Sequence, residues 1–347
     1  MSVNPRNLSS SYGSIFIKTA ITLIVVSLTT LLILRTLLHS FIASDLDTII
    51  FEVKEGSTLN SVSSELAKKG IFPYPRIFST YARIQGLEKL IQPGEYEITK
   101  ITSPVSLLEK MTNGDLFQRK ITLVEGWTIE QVLETLWNNE TIIREIETKD
   151  PKLLADLLSL DVSSAEGMIF PDTYFFTKGA TDISIIRRAH INLQNMLDDA
   201  WEDRLGGLPY DDPYEALTMA SIIEKESSTR SEKGYISSVF INRLERGMRL
   251  QSDPTVIYGM GEDYDGSITR AALAQVTPFN TYRINGLPPS PIALAGLESL
   301  HASLNPFQSD YLYFVSQGDG SHYFSENLDE HNEAVGRFRR TNDLKSK

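Results

Sequence analysis

The chain has 347 residues, 41% hydrophobic and 22% charged, with 33 Lys and Arg against 45 Asp and Glu for a net charge of -12. A mean hydropathy of -0.16 excludes an intrinsically disordered chain and a polytopic membrane protein, and the acidic balance excludes a general nucleic-acid binder, which needs a cationic surface. The absence of cysteine removes disulfides, Cys-ligated zinc, iron–sulfur clusters and thiol catalysis, without reporting a compartment.

The first element is one apolar run from Ser14 to Ala43, with no charge between Lys18 and Arg35. A membrane span needs about 20 residues, a length reached when Lys18 or Arg35 snorkels to an interface. We expect a transmembrane helix over 16–38 behind a cytoplasmic tail, 1–15. A core helix would not be this apolar all round. A cleaved signal peptide would carry a shorter run and a small-residue cleavage site. Arg6 and Lys18 precede the run, whereas Arg35, Asp45, Asp47 and Glu52 follow it. That small asymmetry favours a body on the extracytoplasmic side of the inner (plasma) membrane.

Residues 47–117 read as a small β/α module. TIIFEV (48–53) is a strand, and Lys54-Glu55-Gly56 a turn. Leu59, Val62 and Leu66 have helical spacing over 58–69 and Gly70 stops that helix. Residues 75–85 suggest a second helix, and Pro93-Gly94 a turn into a strand at 95–99. EGSTLNSV (55–62) is echoed by EGWTIEQV (125–132), so two similar strand–turn–helix units are expected.

Residues 118–340 form the larger domain. Helical patterns cover 153–160 and 183–196, flanking an aromatic loop or short strand at 165–176. Residues 213–248 are a helix pair, with Val239, Phe240, Leu244 and Met248 inward on the second; 251–291 are largely loop. A hairpin joins YLYFV (311–315) to 322–324 through Gly318-Asp319-Gly320. A helix covers 327–340 before a frayed tail, 341–347. Segregated helices and strands make the fold class α+β.

Standard machinery is missing: there is no Walker A, G-x-G-x-x-G after a strand, H-E-x-x-H or G-x-S-x-G. The five histidines lack metal-ligand spacing, so neither metal nor cofactor is expected. The best candidate segment is 212–228, DPYEALTMASIIEKESS. Asp212 suits the N-cap, Pro213 the first helical position, and Glu215 a capping box. Ala216–Ile223 is small and apolar nearly all round, which predicts a buried helix. It ends in Glu224 and Glu226, either of which can emerge at an apolar lip where desolvation makes a carboxyl a usable acid. The plain alternative is a solvated helix end with Glu226 paired to Arg230. Periodicity does not choose. Gln251, Asp253, Asn280 and Tyr282 follow among rigid proline turns. Amides, carboxylates and aromatic faces suit a sugar polymer, although they can equally shape loops.

These stretches carry a family resemblance. EGMIFPDTYFF (166–176), MASIIEKES (219–227), VFINRLERGMRLQSDPTVIYGMG (239–261), FNTYRINGLPPSPIALAG (279–296), YLYFVSQGDGSHYFS (311–325) and EHN (330–332) resemble the endolytic murein transglycosylases of the MltG (YceG-like) type. Ala295 departs from the family's usual Pro. The resemblance implies cleavage of peptidoglycan glycan strands between N-acetylmuramic acid and N-acetylglucosamine. The muramic 6-hydroxyl closes on its own C1 to leave a 1,6-anhydro end. It implies Glu226 as the single catalytic residue on a lysozyme-like helix, with Ser227, Gln251, Asp253, Asn280 and Tyr282 toward substrate. It also implies a LysM-like glycan-binding module and peptidoglycan synthases as partners. A hydrolytic muramidase with Asp253 activating water, or a non-catalytic peptidoglycan-binding scaffold, are the alternatives.

Overall fold

A computed structural model describes residues 6–41, 48–227 and 229–345 of the chain. Asp45 and Asp47, used above for orientation, lie outside the described residues, as do the first five and last two positions. The chain divides into two compact units at Arg119 and Lys120.

The first unit opens with α1 (Arg6–His39), whose segment Ile15–His39 is long and apolar enough to cross a membrane and only 6% buried. Its threonines do not interrupt the apolar surface, because their hydroxyls bond back to the helix. Thr19 donates to the Ile15 carbonyl at 2.9 Å, and Thr29 to that of Val25 at 2.7 Å. The rest of the unit runs β1 (Thr48–Val53), α2 (Leu59–Lys68), α3 (Pro75–Ile84), β2 (Gly94–Thr99) and α4 (Pro104–Asn113). β1 and β2 pair antiparallel with Phe51 opposite Tyr96, both fully buried. α4 is an addition to the elements expected. Ser103 and Ser106 form its capping box, Pro104 starts it, and Gly114 ends it at φ 73°. Its signals are short polar residues at caps rather than a long apolar period.

The second unit runs β3 (Arg119–Thr122), α5 (Ile129–Trp137), α6 (Pro151–Leu158), β4 (Thr173–Phe176), α7 (Asp182–Glu202), α8 (Pro213–Glu226), α9 (Arg230–Glu245), α10 (Asp253–Met260), α11 (Arg270–Ala274), α12 (Leu297–Leu304), β5 (Tyr313–Ser316), β6 (His322–Ser325) and α13 (Leu328–Lys345). β3 pairs with β4, and β5 with β6, so the strands are segregated in two-stranded sheets among helices. The fold is α+β. The sequence echo is a structural one. Gly56 and Gly126 turn at φ 73° and 76°. Thr58 and Thr128 cap α2 and α5, and Leu59 and Ile129 are buried as each helix's first residue.

α8 is the centre of the second unit. Ala216 to Ile223 are all buried, enclosed by α7, α9 and α12. Asp212 accepts from the Glu215 N–H at 2.9 Å, as an N-cap should. Glu215 reaches one residue further back than a capping box does, to the Asp211 N–H at 2.7 Å. Three helices, α10, α11 and α12, occupy segments without a helical expectation. α10 starts at Ser-Asp-Pro, a cap and a first-turn proline, inside a stretch otherwise rich in loop formers. α12 is short, and its buried face includes Ser299 and Ser303, which blunts its apolar pattern.

Candidate active site

The two glutamates that close α8 have different surroundings. Glu224 is locked in a polar knot. Lys233 Nζ from α9 lies 3.0 Å from both its oxygens. Its Oε2 also accepts from the Gly296 N–H at 3.0 Å and Ser299 Oγ at 2.6 Å. The two charged side chains are 7% and 5% exposed. With its oxygens occupied by these three donors, Glu224 ties α8 to α9 and α12 and does not face the cleft. Glu226 is half-buried in the wall of a cleft of about 420 Å³. Its one hydrogen bond among the described residues comes from Ser252 Oγ to Oε1 at 2.5 Å. Burial, aided by the Asp253 charge, pushes its pKa up from the ordinary carboxyl value to about 7, against the opposing pull of Ser252 and Arg243. Arg230 pairs with Glu298, not with Glu226.

Gln251, Asp253 and Tyr282 share the cleft with Glu226. Tyr282 Oη donates to Asp253 Oδ1 at 2.7 Å, and burial raises the phenol's pKa. Gln251 stands at φ 52°, a left-handed conformation unusual for a residue with a Cβ. Asn280 and Ser227 do not line the cleft. Asn280 is buried, with Nδ2 donating to the Gln275 carbonyl at 2.6 Å and Oδ1 accepting from the Tyr282 N–H at 3.0 Å. It shapes the loop that presents Tyr282. Ser227 is also buried; its Oγ accepts from the Thr229 N–H at 3.0 Å, closing α8 and starting the next turn.

Sequence reasoning passed over three contributors. Arg243 of α9 is buried, donates to the carbonyls of Leu250 and Leu312 at 2.6 Å each, and lies 5.1 Å from the Tyr313 ring. It ties the segment before Gln251 to β5. Its signal was a charge three and four residues beyond Phe240 and Val239, on the inward face of the helix. His331 stacks on Tyr313 with ring centroids 5.1 Å apart, and both line the cleft. Ser252 is the third. Away from the cleft, Glu166 is a second carboxyl with a raised pKa. It accepts from the Ile129 and Gly167 N–H groups and from Tyr258 Oη at 2.9, 3.2 and 3.1 Å, and burial raises its pKa to about 7. Among the described residues no group of three or more His, Asp or Glu is arranged to hold a metal ion.

The cleft therefore presents one carboxyl able to be protonated near neutrality, flanked by a tyrosine-held aspartate and an aromatic wall. That arrangement suits proton delivery to, and retrieval from, an oxygen-rich ligand.

Residues 51–337 match the model of the YceG-like family. The chain is 30% identical over 308 residues to the endolytic murein transglycosylase of Bacillus subtilis, covering 84% of this chain and 85% of that one. It is 28% identical to the endolytic murein transglycosylase of Streptococcus pneumoniae, over 82% of this chain and 57% of that longer protein. A crystal structure of a YceG-like protein from Listeria monocytogenes superposes with a TM-score of 0.51 at 28% identity, covering 83% of this chain and 98% of that one. With most of its length matched by the family model and by these relatives, the chain belongs to the YceG-like family.

Proposed function

We propose that the protein is an endolytic lytic transglycosylase of peptidoglycan, cutting glycan strands internally between N-acetylmuramic acid and N-acetylglucosamine. The observation that carries this reading is Glu226: a single carboxyl with a pKa near 7 on an open cleft. Hydrolytic glycosidases ordinarily pair two carboxyl groups about 5–9.5 Å apart, one of them acting on water or on C1. Here the neighbouring Asp253 is engaged by Tyr282, and Glu224 by Lys233. One carboxyl suffices for a transfer within the substrate. Glu226 gives its proton to the glycosidic oxygen as the bond to C1 breaks. The muramic 6-hydroxyl then bonds to C1, and its proton returns to Glu226. The products are a free N-acetylglucosamine 4-hydroxyl and a 1,6-anhydro end, with no water consumed.

α1 supplies the membrane anchor in this reading, with the body extracytoplasmic. The β1–α2–α3–β2 unit is a LysM-like glycan-binding module, and proximity to peptidoglycan synthases lets the enzyme terminate nascent strands. The test is product analysis by mass spectrometry, using full-length protein in detergent on purified peptidoglycan. Wild type should yield anhydro ends, and Glu226→Gln should fold, bind glycan and yield none. Products heavier by one water would make the enzyme a hydrolase. Intact strands with wild type would leave a binding scaffold.

A further inference from the structure

Ser252 occupies the N-cap position of α10, yet its side chain makes no hydrogen bond to the helix it precedes. A serine there ordinarily accepts from an N–H two or three residues on. Its hydroxyl donates instead to Glu226 Oε1 at 2.5 Å. The main chain enforces that choice. Gln251, immediately before, takes the left-handed turn at φ 52°. The Ser252 N–H donates to Thr281 Oγ1 at 2.9 Å, and its carbonyl accepts from Thr255 Oγ1 at 2.7 Å. The two threonine hydroxyls bond to each other at 2.8 Å, and all three residues are buried. A strained turn and a buried threonine pair thus fix the serine backbone and leave its Oγ bonded to Glu226.

We propose that Ser252 is the positioning residue of the acid: by occupying Oε1 of Glu226 it assigns the travelling proton to Oε2. The proposal rests on Glu226 being the acid of the proposed function. The groups facing the carboxyl are Arg243 of α9, Asp253 of α10, Tyr282 of the loop beyond it, Tyr313 of β5 and His331 of α13. Ser252 is the one that donates to it among the described residues. When Glu226 is protonated, Ser252 donates to its carbonyl oxygen, and the acidic O–H is on the other side. When that proton passes to the leaving oxygen, the same hydroxyl donates to a carboxylate and the bond strengthens as the charge develops. The carboxylate is thereby held in register to take back the 6-hydroxyl proton.

Two measurements on the full-length protein in detergent test this. In the first, Ser252→Ala should lower kcat about tenfold with KM little changed, the effect of one charge-assisted hydrogen bond. Without the donor the carboxyl holds its proton more tightly, so the alkaline limb of the pH–rate profile should rise by about one pH unit. Ser252→Thr, which keeps a hydroxyl, should restore the limb. A merely structural serine would lower activity equally at every pH and leave the limb in place, which overturns the proposal.

The second measurement needs no activity. Thermal unfolding is followed against pH for wild type, Ser252→Ala, Glu226→Gln and the double variant. The destabilisation caused by Ser252→Ala should grow as pH rises through 7 in the wild-type background and be the same at every pH in the Glu226→Gln background. A pH-independent penalty in both backgrounds overturns the proposal. If the wild type cleaves nothing, the functional reading fails while the unfolding data still decide whether Ser252 governs the Glu226 proton.

Discussion

Glu224 and Glu226 stand two residues apart on one helix, and their surroundings give them different roles. Lys233, Ser299 and the Gly296 N–H occupy the oxygens of Glu224, whereas burial with a single donor leaves Glu226 able to carry a proton at neutral pH. Helical periodicity brought both to the end of a buried helix but not further, because the deciding partners lie far away in sequence. The same limit explains Ser252, whose bond to Glu226 joins residues 26 apart in the chain. Asn280 has a polar side chain suited to a sugar and uses it on loop carbonyls instead. Glu226 also carries a stability consequence. Its pKa is near 7 in the fold against 4.5 ordinarily, so the folded state binds more protons between those values. Its contribution is complete below pH 4.5 and is lost as pH rises through 7. Glu226→Gln removes that loss. Calorimetry should find it equal to wild type near pH 4 and more stable at pH 8, by on the order of 3 kcal/mol.

At the scale of elements, the long periodic helices and the β-branched strands were legible, as were the glycine turns at 56 and 126. The short helices α4 and α10 were not, since each is announced by a polar N-cap residue and a proline rather than by an apolar period; nor were the five-residue α11 or α12, whose buried serines blunt its pattern. What binds the elements of the second unit was also hidden. The Glu224–Lys233 pair joins α8 to α9, and through Ser299 reaches α12. Removing one partner strands a buried charge, which costs about 3–5 kcal/mol. Lys233→Met should therefore lower the denaturation midpoint strongly. The double variant Lys233→Met/Glu224→Leu, which removes both charges, should recover much of the loss in denaturant titrations. Glu166 does comparable work elsewhere, holding the start of α5 and, through Tyr258, the body of α10.

At the scale of the whole molecule, the two compact units have separate hydrophobic clusters. The first builds its cluster from residues between Phe51 and Met111. The second gathers side chains from Ile121 to Leu304 in two clusters, and its cleft takes Leu328, His331 and Asn332 from α13. A chain stopped after Asn327 should keep a buried α8 and its far-ultraviolet helical signal. It should release no anhydro products in the mass assay, because one wall of the cleft is gone. This reliance on the last helix has a temporal side. A growing polypeptide leaves the ribosome from its amino terminus, so the first unit can be in place while the second is still unfinished. The cleft closes around Glu226 only when the final helix has been delivered, so a half-made copy carries its acid without a working blade.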